Sequence, residues 1–266
     1  MTDQRKKILN ELAGLIVEDF SSGYVTDLEK LAAFEATQVY IDHYENSFDG
    51  MLVYDDDEQF HIHLNSDRGN FPDRPRGRFS FAHELAHLII EEHRIPLMTG
   101  EMAPHGSLHD FKHRDAVEEE ADYFASCLLM PEKHFRKVPR GKKFSFDTVT
   151  GIAKEFQTSI LATVLRFVEV GSHDILVVVS ESNIVRWFAK STNFPNWKFR
   201  FRVGQTLPPN TVAGEYFTKP NAKYTSVEDV EPESWFIPAW TPKTQMHEQC
   251  YYSESYDYVI SLIWFD

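Results

Sequence analysis

Hydrophobic residues recur every three or four positions at the start of the chain. This spacing predicts an amphipathic helix over residues 5–20. The same spacing resumes after Asp27, a residue type that often caps the first turn of a helix. We therefore expect the chain to begin with two helices.

The pattern then changes from helical spacing to short apolar segments. Residues 39–44, 50–54 and 60–64 have the length and composition of β-strands. Four acidic residues at positions 55–58 join the second segment to the third. These segments therefore predict a strand followed by a β-hairpin.

Helical spacing returns at residues 78–92, where Ser80 is a candidate cap for a helix that carries Phe81, Leu85 and Leu88. A polar segment rich in Pro, Gly and His (96–114) separates this helix from another at 116–130, which Pro131 follows. Two short helices are expected at 152–156 and 160–167.

Aromatic residues are concentrated in the last 96 residues, which contain all five Trp and 18 of the 37 aromatic residues. The β-branched run 175–179 and the alternating segment 256–265 predict strands there. The expected fold class is therefore α+β, with a domain at 1–170 that ends in a helical pair. A β-rich aromatic domain follows at 171–266. This domain is a candidate partner-binding or sensor module.

Composition narrows the class of protein. With 266 residues, 42% of them hydrophobic, the chain has enough apolar material for a globular fold. The sequence predicts no membrane helix and no signal peptide, and we expect a cytoplasmic location. The two cysteines are too few for a disulfide framework. A net charge of −14 repels a phosphate backbone, so direct nucleic-acid binding is not expected.

Candidate chemistry lies in the helix at 78–92, where residues 83–87 read HELAH, an HExxH motif. Residues four apart on a helix share one face, so His83 and His87 can bind one Zn²⁺. Glu84 then lies beside the metal-bound water, where it can act as a general base.

A third ligand is expected from the acidic helix at 116–130, which can complete a site of two histidines and one glutamate. Glu118 lies closest to the apolar face of this helix, while Glu119 and Glu120 point further towards solvent. Asp122 follows Glu118 by one turn and can accept a hydrogen bond from the outer nitrogen of a zinc-bound histidine. The prediction is one zinc ion per chain, bound by His83, His87 and Glu118, with Asp122 behind His83.

Two sequence blocks resemble the ImmA/IrrE family of zinc metallopeptidases: residues 78–88 (RFSFAHELAHL), and the segment from Glu118 through Ala121, Asp122 and Phe124 to Pro131. The resemblance covers about residues 28–170. It implies a zincin-like domain and an intracellular endopeptidase that cleaves a helix-turn-helix repressor in a stress or mobile-element switch. We expect that repressor to be a separate DNA-binding chain.

Catalysis also needs a hydrogen-bond donor for the tetrahedral oxyanion, and the motif does not supply one. Four side chains are candidates for this role: His105, His109, His113 and Tyr123. His105, in the sequence Pro-His-Gly-Ser, is our preferred candidate.

Three further patterns have two interpretations each. His61 and His63 share one face of a strand. The pair can bind a metal ion or can simply belong to a solvent-facing strand surface, and the second interpretation is favoured. Residues 152–167 resemble a helix-turn-helix, but Arg166 is the only basic residue of the second helix, which favours a structural pair. Residues 197–203 alternate basic and aromatic side chains. This pattern is typical of an edge strand whose charges prevent aggregation, and it also fits a surface that binds an acidic partner; the edge strand is favoured.

The alternative function is a non-proteolytic binding protein with a structural zinc and a C-terminal partner-binding domain. Glu84 argues against it, because a purely structural site needs no base beside an open coordination position.

Overall fold

The structure is a computed structural model, which describes residues 1–108, 115–139, 141, 143–171, 173–216, 225–237, 245–253 and 257–265. Within these residues the fold is α+β, as the sequence predicts. None of the described helices combines the length and the apolar character that crossing a membrane requires.

The helices of the described residues, in chain order, are α1 (Asp3–Phe20), α2 (Leu28–Phe34), α3 (Pro75–Ile89), α4 (Glu91–Thr99), α5 (Ala116–Leu129), α6 (Glu132–Phe135), α7 (Phe146–Phe156), α8 (Ile160–Val170) and α9 (Val212–Tyr216). Short 3-10 turns lie at Ser66–Arg68 and Pro232–Ser234.

The strands, in the same order, are β1 (Ser21–Ser22), β2 (Val25–Thr26), β3 (Gln38–Asp42), β4 (Gly50–Tyr54), β5 (Phe60–Asn65), β6 (Gly106–Ser107), β7 (Ile175–Glu181), β8 (Ile184–Lys190), β9 (Lys198–Phe199), β10 (Glu228–Val230), β11 (Phe236–Ile237), β12 (Met246–Ser253) and β13 (Tyr258–Phe265).

Contacts divide the chain into two compact units, residues 1–137 with 153–159, and residues 138–152 with 160–266. This division differs from a domain boundary at residue 170, because residues 138–152 and 160–170 pack with the C-terminal strands. The Phe146 amide donates to Gln249 Oε1 at 2.7 Å, and the Phe144 ring lies 5.2 Å from that of Trp264.

The first unit contains a four-stranded sheet in the order β3-β5-β4-β6. Strands β4 and β5 form the predicted antiparallel hairpin, which pairs Tyr54 with Phe60. Strand β3 runs parallel to β5, and the short β6 pairs antiparallel with Gly50 and Met51 of β4. Helix α3 packs against β4, β5 and α5, which places the HExxH motif between the sheet and a second helix.

The start of α3 corrects the sequence analysis. The helix begins at Pro75, five residues before Ser80, because proline needs no amide partner in the first turn. Ser80 is therefore not the cap but a buried side chain inside the helix, and its hydroxyl donates to Asn70 Oδ1 at 2.7 Å. The predicted helix at 78–92 also ends earlier, at Ile89, and α4 follows at once with Pro96 inside it.

The second unit is built on an antiparallel five-stranded sheet in the order β10-β12-β13-β7-β8. The predicted terminal strand appears as β13, while Tyr256 lies outside the described residues. One side of this sheet packs on an aromatic core that includes Phe201, Trp235 and Phe236. The small β9-β11 sheet contributes Phe199 and Phe236 to the same core.

Arg166, the only basic residue of the helix-turn-helix-like α8, is 1% exposed. Its helix packs against β7 and β8. The guanidinium is therefore not presented to solvent, where a phosphate backbone would meet it.

Candidate metal centre

His83 and His87 lie one turn apart on the buried side of α3, exposed by 1% and 3%. Their Nε2 atoms point to the same place and are 3.1 Å apart. Burial lowers the pKa of His87, which favours the neutral imidazole that binds metals. The helix therefore brings together the two nitrogens that the motif predicts.

Helix α5 adds a carboxylate to this pair. Asp115 caps its first turn, because the Asp115 side chain accepts a hydrogen bond from the Glu118 backbone amide at 2.9 Å. The Glu118 oxygens lie 3.2 Å from His83 Nε2 and 3.3 Å from His87 Nε2. Burial alone would raise the pKa of the Glu118 carboxyl, but hydrogen bonds from the surrounding histidines outweigh it and hold that pKa well below its ordinary value.

The other two glutamates of this helix point to different partners. Glu119 Oε2 lies 3.2 Å from the amino group of Met1, and Glu120 Oε2 lies 2.7 Å from Arg5 and 3.3 Å from His93. Among the three alternatives, the structure brings only Glu118 to the histidine pair.

Asp122 lies behind His83, where Oδ1 is 2.9 Å from His83 Nδ1. A carboxylate at this distance can accept a hydrogen bond from Nδ1, and in the neutral ring that tautomer keeps the Nε2 lone pair for a metal ion. The structure therefore gives Asp122 the position that the sequence analysis expects.

Glu84 is buried, with 1% of its surface exposed, and lies against strand β4. Burial raises its pKa to about 7, against an opposing effect of the His83 charge. Its Oε1 atom has no hydrogen-bond partner among the described residues. A buried polar atom of this kind indicates a position for a water molecule or a ligand atom.

Gly50 of β4 makes room for Glu84, and sequence reasoning missed it. A Cβ at this position would lie 2.7 Å from Glu84 Oε1 and 2.9 Å from its Cγ. Glycine inside a strand is a signal of close approach, but the sequence does not show which side chain approaches.

Of the oxyanion candidates, His105 lies at the site. Its Nε2 is 2.9 Å from Glu118 Oε1, and this hydrogen bond raises its pKa. Tyr123 instead contacts α1, where Lys6 Nζ is 5.4 Å from its ring centroid. His109 and His113 lie outside the described residues.

His93 was not predicted as part of the site, because it lies just beyond the helix expected at 78–92; in the structure it belongs to α4. The His93 ring lies 5.2 Å from the His87 ring, and its Nε2 faces Glu120 at 3.3 Å. His93 therefore borders the site but does not join the three candidate ligands.

The histidines of the hairpin have other partners. His61 Nε2 lies 2.6 Å from Asp55 Oδ2, and His63 Nδ1 lies 2.8 Å from the Tyr44 hydroxyl. Within the described part of the chain, the group of three or more His, Cys, Asp or Glu side chains that can hold one metal is His83, His87 and Glu118, with ligand atoms within 4.8 Å of one another.

Part of the chain that contains this site matches a known protein family. Residues 45–167 match the family model Peptidase M78, described as an IrrE N-terminal-like domain. These residues form an IrrE N-terminal-like domain. The match confirms the resemblance drawn from the two sequence blocks, and its range includes all three candidate ligands.

The fold that contains this IrrE N-terminal-like domain is similar to that of a Mycobacterium tuberculosis transcriptional regulator. The TM-score is 0.62 at 14% sequence identity, over 97% of this chain and 76% of that chain. At this level of identity the likeness concerns the fold alone. No curated protein matches the chain at a significant level.

Proposed function

We propose that the chain is a zinc-dependent endopeptidase that hydrolyses a peptide bond in a protein substrate. The observation that carries this proposal is the convergence of His83, His87 and Glu118 beside the buried carboxylate of Glu84. The Peptidase M78 match over the same residues supports it, and with it a zincin-like architecture for the first unit.

The donor set fits zinc. Two imidazoles and one carboxylate are the protein ligands of many catalytic zinc sites, and they leave a coordination position open. Glu84 follows His83 directly in the chain, and its buried Oε1 has no hydrogen-bond partner among the described residues, so a water molecule or a ligand atom could satisfy it. When bound, zinc lowers the pKa of a coordinated water towards 7 and polarises a substrate carbonyl.

Glu84 is the proposed general base. It takes a proton from the attacking water and returns it to the leaving amine. A pKa of about 7, caused by burial, suits both transfers because neither protonation state is strongly favoured near neutral pH. Gly50 leaves room for the base in this position, since a Cβ there would lie 2.7 Å from Glu84 Oε1.

Two further side chains have supporting roles in this proposal. Asp122 orients His83 through its Nδ1 proton, which fixes the tautomer that presents Nε2 to the metal. A hydrogen bond to Glu118 raises the pKa of His105 and so favours its protonated form. In this form His105 donates a hydrogen bond to the oxyanion of the tetrahedral intermediate.

Strand β4 offers an edge for an extended substrate. Strand β6 pairs only with Gly50 and Met51, so the described β4 residues from Leu52 to Tyr54 have no second strand beside them. A substrate backbone can add to this edge as a further strand, next to Glu84.

The resemblance to the ImmA/IrrE family suggests the substrate class, a helix-turn-helix repressor on a separate chain that controls a stress response or a mobile element. The fold similarity to a protein titled a transcriptional regulator is compatible with this setting. We place the reaction in the cytoplasm, where both free cysteines, Cys127 and Cys250, would stay reduced.

A Glu84→Gln variant tests the proposal. The amide has nearly the same shape but cannot accept a proton, so the variant should keep its zinc and fold while cleavage of the substrate falls at least about a thousandfold. Affinity capture from the native cytoplasm should then trap the uncleaved repressor, which mass spectrometry identifies.

The control is a Glu119→Gln variant, which changes an exposed carboxylate on the neighbouring helix and should cleave at the wild-type rate. If Glu84→Gln still supports the biological response at the wild-type level, the protein acts by binding its partner and the peptidase proposal is wrong.

A further inference from the structure

The second unit contains a long stretch of chain without acidic residues. Residues 182–214 include five basic residues and no Asp or Glu, although 41 of the 266 residues of the chain are acidic. The five are Arg186, Lys190, Lys198, Arg200 and Arg202. A local cluster of positive charge in an acidic protein creates a surface that attracts anionic groups.

The structure places this stretch at the edge of the five-stranded sheet. Strand β8 is the last strand of the sheet, and the segment 204–207 hydrogen-bonds to its outer side at Asn183 and Val185. Beyond that point, no strand among the described residues pairs with the outer backbone edge of Phe188, Ala189 and Lys190.

Strand β9 lies next to this edge. The ring of Phe188 contacts those of Phe199 and Phe201 at centroid distances of 4.9 and 5.4 Å. Phe188 itself remains 38% exposed. We call the surface formed by Arg186, Phe188, Lys190, Lys198, Arg200 and Arg202 the β8–β9 patch.

Most cations of the β8–β9 patch have no carboxylate partner among the described residues. Lys190 Nζ lies 3.2 Å from the side-chain oxygen of Asn196, and Arg200 Nε donates to the Phe236 carbonyl at 2.9 Å. Lys198 and Arg202 form no ion pair with the described acidic residues, and Arg186 alone is paired, with Glu181 at 2.7 Å. Four positive charges are therefore available to an external anionic group.

We propose that the β8–β9 patch binds an acidic, extended polypeptide segment of a partner protein, which adds to the outer edge of β8 as a further strand. The open backbone of Phe188 to Lys190 would supply main-chain hydrogen bonds, and the unpaired cations would select acidic side chains. The exposed face of Phe188 adds an apolar contact at the centre.

A polypeptide fits this surface better than a nucleic acid does. Single-stranded nucleic acids stack successive bases on several exposed aromatic rings. In this region Phe188 is exposed, but Phe201 is buried and Trp197 and Phe199 are partly buried in the core of the unit. The net charge of −14 also repels a long polyphosphate, whereas a short acidic segment interacts mainly with charges within about 8 Å at physiological salt.

Fluorescence anisotropy with the full chain tests the proposal. The probe is a labelled twelve-residue peptide of alternating Glu and Thr, compared with the Lys–Thr peptide of the same length and with a twelve-nucleotide oligothymidylate. We expect the Glu–Thr peptide to bind at least tenfold more tightly than either alternative, with an affinity that falls as salt is added.

The Lys198→Glu/Arg202→Glu variant should weaken binding of the Glu–Thr peptide at least tenfold. The matched control, Lys7→Glu/Lys133→Glu, makes the same change in net charge on the first unit, at two lysines paired with Glu11 and Glu18. It should bind within twofold of the wild type. Equal losses in both variants, or tighter binding of the oligonucleotide, would overturn the proposal.

Hydrogen exchange supplies a readout that does not depend on charge reversal. Added Glu–Thr peptide should slow exchange of backbone amides within residues 186–190 and leave those of β10, at the opposite edge of the same sheet, unchanged. Binding without protection at β8 would rule out strand addition. Neither measurement requires peptidase activity, so failure of this proposal is distinguishable from failure of the proposed function.

Discussion

Among single residues, the choice of carboxylate on α5 decides whether the metal site is complete. Glu118 meets both histidines, whereas Glu120 is held by Arg5 and His93. We therefore expect Glu118→Gln to weaken zinc binding by about a hundredfold or more, because an amide oxygen is a much poorer zinc ligand than a carboxylate. Glu120→Gln should change it less than about threefold.

Competition with a chromophoric zinc chelator measures both affinities. Circular dichroism should show that both variants are folded. If the two variants lose zinc equally, or Glu120→Gln loses more, Glu118 is not the third ligand.

A second residue-scale prediction concerns Gly50. A Gly50→Ala substitution places a methyl group within 2.7 Å of Glu84 Oε1, so the carboxylate has to move. Displacing a general base by about 1 Å typically costs about a hundredfold in rate. We expect peptide hydrolysis to fall by that order while zinc content stays at the wild-type level.

Gly14→Ala is the matched control for this variant. Gly14 lies in α1 with no atom within 4 Å of an added Cβ, so its substitution should leave hydrolysis unchanged and slightly stabilise the helix. If Gly50→Ala hydrolyses peptides at the wild-type rate, Glu84 does not depend on this close approach.

These residues also show what the sequence could predict. The pairing of His83 with His87 follows from helix geometry alone, and helical phase was enough to prefer Glu118. The roles of Gly50 and His93 could not be read in this way, because each depends on an approach between elements that are distant in sequence.

At the scale of elements, strands and helices with a clear period were predictable, but their ends were not. The hairpin of β4 and β5 follows from apolar segments around an acidic turn. Helix α3 starts five residues before Ser80. The sequence does not reveal this start, because a serine can either cap a helix or be buried inside one. The hydrogen-bond partner of the buried Ser80 hydroxyl, Asn70, lies ten residues earlier in the chain.

One element interaction that the sequence does not reveal supports a stability prediction. Glu248 of β12 is fully buried and accepts hydrogen bonds from the amides of Val212 and Ala213 at 2.9 Å and from Trp235 Nε1 at 2.8 Å. The carboxylate thereby holds the start of α9 and the central tryptophan against the sheet.

Replacing Glu248 by alanine leaves these three buried donors without an acceptor. Each unsatisfied donor costs about 1–3 kcal/mol, so we expect the free energy of unfolding of the second unit to fall by about 3 kcal/mol or more. Glu228→Ala is the control, because Glu228 lies opposite Glu248 in the strand register but is exposed. Urea denaturation followed by tryptophan fluorescence measures both, and equal stabilities would contradict this role of Glu248.

At the scale of the whole molecule, every residue of the candidate metal centre lies in the first compact unit, and the β8–β9 patch lies in the second. The change in composition near residue 171 revealed that a strand-rich region follows. It could not show that residues 138–152 pack with those strands, because the contact of Phe144 with Trp264 joins residues 120 positions apart.

The most direct test of the central claim is the zinc content of the purified chain, measured by mass spectrometry after gel filtration. We predict about one zinc per chain in the wild type and none in the His83→Ala/His87→Ala variant. The His61→Ala/His63→Ala variant should keep its zinc, because those imidazoles meet Asp55 and Tyr44 instead of the site. Absence of zinc from the wild type, or full retention after loss of His83 and His87, would contradict the account.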